Sequence, residues 1–136
     1  MKSLFYIVGP YIVVATGWDE DITNYTNAVQ LVNMDLSPSE CDSLPAYPIR
    51  MYLASVGFLN NHLVICGGGS LNGEYGPYNT CYRYETADHK WTFFVNMQTE
   101  RYDHGVATLP DGSMWITGIL ALSLTVCLGA GLTEKK

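Results

Sequence analysis

The chain has 136 residues, 48% of them hydrophobic, which suits one ordinary globular domain and sets aside a disordered chain. Seven Lys plus Arg against thirteen Asp plus Glu leave a net charge of −6 and no basic stripe, which argues against nucleic acid as a partner. Ten Tyr and three Trp, with Val and Ile in short runs between Gly, Pro and Asn, favour strands over helices, so the expected class is all-β.

In chain order, "SLFYIV", Gly9-Pro10 and "YIVVATG" read as a first hairpin that ends at Gly17. Lys2 followed by an apolar run also looks like a secretory signal, and retained strands are the preferred reading. "WDEDITNYTN" follows as a loop, and "NAVQLVNMD", residues 27 to 35, as a third strand. Asn24-Tyr25-Thr26 is a glycosylation acceptor sequence, which matters only in the secretory pathway.

Residues 50 to 67, "RMYLASVGFLNNHLVICG", form a second hairpin, and residues 101 to 118, "RYDHGVATLPDGSMWITG", lie on it without a gap at an offset of 51. Arg50 falls on Arg101, Asn60-Asn61 on Asp111-Gly112, Ile65 on Ile116 and Gly67 on Gly118. Asn, Asp and Gly suit a two-residue turn in which both positions take positive φ. At an offset of 50 the N-terminus gives a third copy, with Gly17 on Gly67 and Met1 on Met51. Strand-and-glycine repeats of roughly 50 residues are the signature of propeller blades.

The stretch between the hairpins adds Gly67-Gly68, then Tyr84 and Trp91 six residues apart, then Met97 and Arg101 before the next "DG" hairpin. This combination resembles the kelch repeat of β-propellers over residues 1 to 118, and most fully in the middle copy. The resemblance implies a partial propeller of antiparallel four-stranded blades in an incomplete ring. Residues 1–49 would form a degenerate blade, 50–100 a full blade and 101–118 the first hairpin of a third.

Within that family, Gly17, Gly67, Gly68 and Gly118 would relieve crowding at inner strand ends, and Tyr84 and Trp91 would pack between blades. Arg50 and Arg101 would bond to loop carbonyls or carboxylates. All of these are structural roles.

The tail 119–136, "ILALSLTVCLGAGLTEKK", carries no charge before its last residues. Only fourteen residues, 119–132, lie beyond the hairpin, which is short for a membrane span, and its alternating Leu and Val favour a strand. A third strand of the last blade is the first reading, and membrane contact through 119–132 the alternative. Cys41, Cys66, Cys81 and Cys127 lack the CxxC spacing of a zinc site, leaving buried thiols or disulfides. If the chain is secreted, Cys66 and Cys81 are the pair expected to join, because they flank one loop on strands expected to be neighbours. Cytoplasmic and secreted or cell-surface locations both stay open.

Kelch propellers most often bind proteins, so the resemblance implies a non-catalytic protein-binding module that takes a protein partner and needs no cofactor or metal. The loops after Gly17 and Gly67 should emerge on one face. There Trp18, Tyr25, Tyr75 and Tyr78 would serve as aromatic anchors in an acidic rim of Asp19, Glu20, Asp21 and Glu74, suited to a peptide or a basic protein patch. A secreted or membrane-tethered kelch protein is one alternative. A carbohydrate-active propeller enzyme such as a sugar oxidase is another, which His62, His89 and His104, scattered over different blades, do not support. With about two and a third repeats, the chain is expected to be a fragment, a short isoform, or a chain that completes its ring by self-association.

Overall fold

A computed structural model describes residues 2–19, 24–36, 40–70, 74, 76–120 and 123–132. Every regular element in it is a strand. The first sheet is β1 (Lys2–Val8), β2 (Tyr11–Asp19), β3 (Asn24–Asn33) and β4 (Glu40–Leu44). The second is β5 (Ser55–Leu59), β6 (His62–Cys66), β7 (Thr80–Glu85) and β8 (Lys90–Asn96). The third contains β9 (Arg101–Thr108), β10 (Met114–Leu120) and β11 (Ser123–Leu132). All pairs are antiparallel and join strands adjacent in sequence. The architecture is an open run of propeller-type blades.

Three hairpin turns at equivalent places use three chemistries. Gly9, with φ +54°, precedes Pro10, the glycine-first pattern of a type II′ turn. Asn60 and Asn61 both take positive φ, 47° and 65°, as a type I′ turn requires. The Asp111-Gly112 turn departs from the expected pattern, because only Gly112 is left-handed, at +83°. Here Pro110 opens a longer loop, and Asp111 Oδ1 accepts from the Ser113 amide at 2.9 Å and its hydroxyl at 2.6 Å. That local side-chain bond stabilises a turn that a second positive φ would otherwise have to form.

Register corrects the alignment of the first copy. Val8 pairs with Tyr11 and Leu59 with His62, so the turn centres lie 51 residues apart and not 50. Thr16, not Gly17, is the counterpart of Gly67, and Gly17 that of Gly68. Thr16 and Gly67 share a left-handed φ, 50° and 66°, and the following glycines both donate to the next blade: Gly17 N–H to Met51 O at 3.0 Å, Gly68 N–H to Arg101 O at 2.8 Å. The third strand of this blade also starts earlier than expected, at Asn24, and ends at Asn33.

Two cores follow from these faces. One joins Val13, Ala15 and Val29 of the first blade to Val56, Leu63, Ile65 and Tyr84 of the second. The other joins Leu59, Val64, Cys66 and Cys81 to Met114 and Ile116 of the third. The alternation of strand side chains gives the middle blade one apolar face for each neighbour. Cys66 and Cys81 sit directly opposite each other, as Ala15 and Val29 do one blade earlier, and a fully buried disulfide joins them.

Trp91 ties the middle blade to its predecessor. Its ring meets Tyr47 edge-on at 5.2 Å and leans on Tyr84 at 5.3 Å, while Nε1–H donates to Pro45 O at 2.8 Å. In the first blade the corresponding pair is Val32 and the exposed thiol Cys41.

Candidate functional site

Three segments meet at one end of the boundary between the first two blades. They are the start of β3, the connection from β4 to β5, and the segment leading into β7. Between them lies a cleft of about 320 Å³ lined by Asn24, Tyr25, Pro48, Ile49, Arg50 and Tyr78.

Each wall is held by backbone chemistry. Tyr47 N–H donates to Asn27 O at 2.8 Å and Asn27 Nδ2 returns a bond to Tyr47 O at 2.9 Å, which clamps the connection onto β3. Inside this clamp Tyr47 is fully buried, and its hydroxyl donates to Ile65 O at 3.2 Å. Desolvation, with Tyr82 adding to it, pushes that phenol far above its usual range, so it stays a neutral donor. Tyr78 is placed by its own amide, which donates to Gly68 O at 2.8 Å, and by its carbonyl, which accepts from Arg101 N–H at 3.1 Å.

The aromatic wall differs from the expected one. Tyr25 is only 7% exposed, so it is not a protruding anchor. Trp18 covers it edge-on at 5.1 Å and Tyr52 stacks beneath it at 6.1 Å, which makes it a fixed wall. Trp18 and Tyr78 are half-buried and Glu74 is exposed. Asp19 is described as the end of β2, while Glu20, Asp21 and Tyr75 lie outside the described residues.

The two arginines aligned in the sequence are not equivalent in the structure. Gly17 N–H donates to Met51 O where Gly68 N–H donates to Arg101 O, so Met51 is the counterpart of Arg101, and the longer β9–β10 loop shifts the expected gapless alignment by one residue. Arg101, inside β9 and 6% exposed, donates from Nη1 to Gly118 O at 3.3 Å. Arg50 lies outside any strand, is exposed, and lines the cleft. The cleft therefore offers a cationic fork donor beside two phenol rings and the Asn24 amide, a set that suits a carboxylate or a backbone carbonyl next to an apolar side chain. Sequence reasoning gave Arg50 a structural role, named Asn24 only as a glycosylation acceptor, and passed over Pro48 and Ile49. The available signal was "YPIR" itself, an arginine at a proline-bounded blade junction outside any strand pattern.

An added Cβ at Gly67 would lie 2.6 Å from Arg101 O, so this glycine serves close packing at the boundary with the third blade, whereas one at Gly118 would lie 2.7 Å from Cα of His104, its cross-strand partner within that blade. The histidines are apart. His62 is half-buried, 4.0 Å from Glu85, and exposed His89 lies 3.1 Å from the Tyr84 hydroxyl. His104 is buried against Ser55 at 2.6 Å. Among the described residues no group of three or more His, Cys, Asp or Glu comes together. Nor is any helix there long and apolar enough to cross a membrane, and the tail contributes β11, paired with β10.

No family model matches the chain, and no curated protein matches it. Solved structures do. YjhT superposes with a TM-score of 0.69 at 16% identity over 86% of this chain and 33% of its own. A fungal alcohol oxidase of the AA5 family, solved in complex with copper, superposes with a TM-score of 0.68 at 14% identity over 93% of this chain and 28% of its own. This chain thus spans about a third or less of each, and the likeness is one of β-propeller fold.

Proposed function

We propose that this chain is part of a kelch-type propeller that binds a protein partner, without catalysis, through the cleft between its first two blades. The observation that carries the reading is the convergence of Tyr25, Tyr78 and Arg50 on one cleft, built from the two loops that follow β2 and β6 together with the connection from β4 to β5. The kelch assignment is supported by Gly67-Gly68 at the inner end of the middle blade and by the Tyr84–Trp91 pair, whose indole bonds across to the preceding blade segment.

A partner side chain entering the cleft lies between rigid phenol walls, so little rotamer freedom is lost on the receptor side. Arg50 then donates to a partner carboxylate or carbonyl, and the acidic residues Asp19, Glu20, Asp21 and Glu74 attract a basic flank. A folded-protein selection from a displayed peptide library tests this. Selected peptides should lose about tenfold or more in affinity for Arg50→Ala and for Tyr78→Ala, in line with hot-spot costs above about 1 kcal/mol. Peptides that bind both variants as well as the parent, and that tolerate charge reversal at Asp19, Glu20, Asp21 and Glu74, would defeat the reading.

The disulfide favours a secreted or cell-surface setting as the second reading, since such bonds persist in oxidising compartments. Nonreducing peptide mapping of the endogenous protein should recover Cys66 and Cys81 in one cross-linked pair. Recovery of two free thiols from freshly alkylated cells would remove that support.

A further inference from the structure

One sequence motif is left unused by the cleft reading, although the fold places it at the cleft. Asn24-Tyr25-Thr26 opens β3 and is the only Asn-x-Ser/Thr triplet in the sequence. Such a triplet is modified where the chain enters the secretory pathway, and the bulky sugar then needs an asparagine on the folded surface. Both conditions have a counterpart in the fold. The buried Cys66–Cys81 bridge belongs to an oxidising compartment. Asn24 is exposed and lies at the loop end of the β2–β3 hairpin, paired with Asp19.

The local geometry leaves the acceptor atom open. Asn24 Oδ1 accepts from the Tyr25 amide at 2.8 Å, which fixes the carboxamide, while Nδ2, the atom that a sugar joins, has no bond among the described residues. Tyr25 itself is buried under Trp18 and on Tyr52, so the strand end that carries Asn24 is held in place. A glycan on Nδ2 keeps the Oδ1 bond and leaves this stack undisturbed. It also stands in the lining that Asn24 shares with Arg50 and Tyr78, and it removes one of the two Nδ2 hydrogens from the donors of the cleft.

We propose that Asn24 carries an N-linked glycan and that this glycan closes the cleft between the first two blades to a partner. In the transfer, Nδ2 bonds to the anomeric carbon of an oligosaccharide carried on a lipid diphosphate. The bond from that carbon to the diphosphate oxygen breaks, its electron pair leaves on the diphosphate, and Nδ2 gives up one proton to a base. Occupancy of Asn24 rests on the secretory reading, and closure to a partner on the cleft reading, so each is measured separately.

Peptide mapping of the endogenous full chain, before and after treatment with a peptide-N-glycosidase, reads occupancy. The expected result is a glycan on the Asn24 peptide that the enzyme removes, leaving aspartate in place of asparagine. An Asn24 peptide without glycan would overturn the proposal. If Cys66 and Cys81 are then still linked, the secretory reading survives; if both are free thiols, the two fall together. In chains secreted from a glycosylating host, Thr26→Ser should keep the glycan, whereas Thr26→Ala and Asn24→Gln should lose it, and a glycan retained by either would overturn the assignment.

Phenylglyoxal modification reads closure without any partner. Arg50 of the glycosylated chain should react several-fold more slowly than Arg50 of Thr26→Ala, each measured against Arg83, which does not line the cleft. Peptides that need Arg50 and Tyr78 should bind Thr26→Ala about tenfold or more tightly than the glycosylated chain. Equal Arg50 reactivity, or equal affinity for such peptides, would overturn closure. A shielded Arg50 with no peptide that depends on Arg50 or Tyr78 would support the glycan's position and defeat the partner reading instead.

Discussion

Single residues at the blade boundaries carry strain and buried polarity that the repeat makes interpretable. Thr16 holds a φ of 50° where the middle blade has Gly67, and its Oγ1 is buried with no hydrogen-bond partner. A β-branched residue in the left-handed region and an unsatisfied hydroxyl each cost on the order of 1–3 kcal/mol, against the buried methyl and the roughly 1 kcal/mol entropy cost of glycine. Thr16→Gly should therefore stabilise the fold by about 1 kcal/mol, read as a raised denaturation midpoint at unchanged slope. A lowered midpoint would show that methyl packing outweighs strain here.

His104 poses the opposite problem. Its ring is buried, Nε2 lies 2.6 Å from Ser55 Oγ, and Nδ1 has no partner, so the tautomer that donates to Ser55 leaves only an unfilled acceptor. Burial, helped by the Arg101 guanidinium, lowers its pKa to about 4 from an ordinary 6.5. The unfolded chain therefore binds this proton more readily than the folded one. His104 imposes no penalty above about pH 6.5, and its penalty grows as the pH falls toward 4, reaching roughly 3 kcal/mol at the bottom of that window. Glu85, held low chiefly by its bond to Arg83, and Asp111, held low chiefly by Ser113, add losses only in the lower carboxylate range. Urea midpoints between pH 6.5 and 4.5 should thus fall steeply in the parent and much less in His104→Gln. Parallel falls in the two proteins would assign the slope to other groups.

At the scale of elements, the disulfide marks where two blades solve the same packing problem differently. Ala15 and Val29 fill the site in the first blade, and the Cys66–Cys81 bridge fills it in the second. A bridge with a sequence separation of 15 contributes about 3 kcal/mol on loop-closure grounds. The double variant Cys66→Ala, Cys81→Val copies the first-blade pair. It should lose roughly that amount, and Cys66→Ala, Cys81→Ala should lose more because it also leaves a cavity. Equal losses would mean that the site collapses around the smaller pair. Much of this element level was legible in the sequence. The hairpins, the Asn60-Asn61 turn and the inner glycines follow from local chemistry that any homologous strand pair must satisfy. The one-residue slip in the first copy was hidden because aligning glycine with glycine is the natural choice, while the residue in the left-handed conformation is Thr16. The partnership of Trp91 with Tyr47 and Pro45, and the separate fates of Arg50 and Arg101, were not legible, since both depend on where a connection crosses a neighbouring sheet.

At the scale of the whole molecule, stability should be graded along the row of blades. Units that contact only their neighbours gain one interface term per covered face, so a central blade is held from both sides and a terminal blade from one. The middle blade here faces Val13, Ala15 and Val29 on one side and Met114 and Ile116 on the other, and its two central strands are cross-linked. Its openings thus require both cores to part, whereas β11 or β1 can detach at the cost of one. Amide hydrogen exchange should accordingly be slowest in β5, β6 and β7, faster in β2 and β10, and fastest in β11 and β1. Val13→Ala, in the core between the first two blades, should speed exchange in β1 and β2 while leaving β10 nearly unchanged. Uniform protection across all three sheets, lost together in that variant, would mean that the blades fold as one cooperative unit rather than as a graded row.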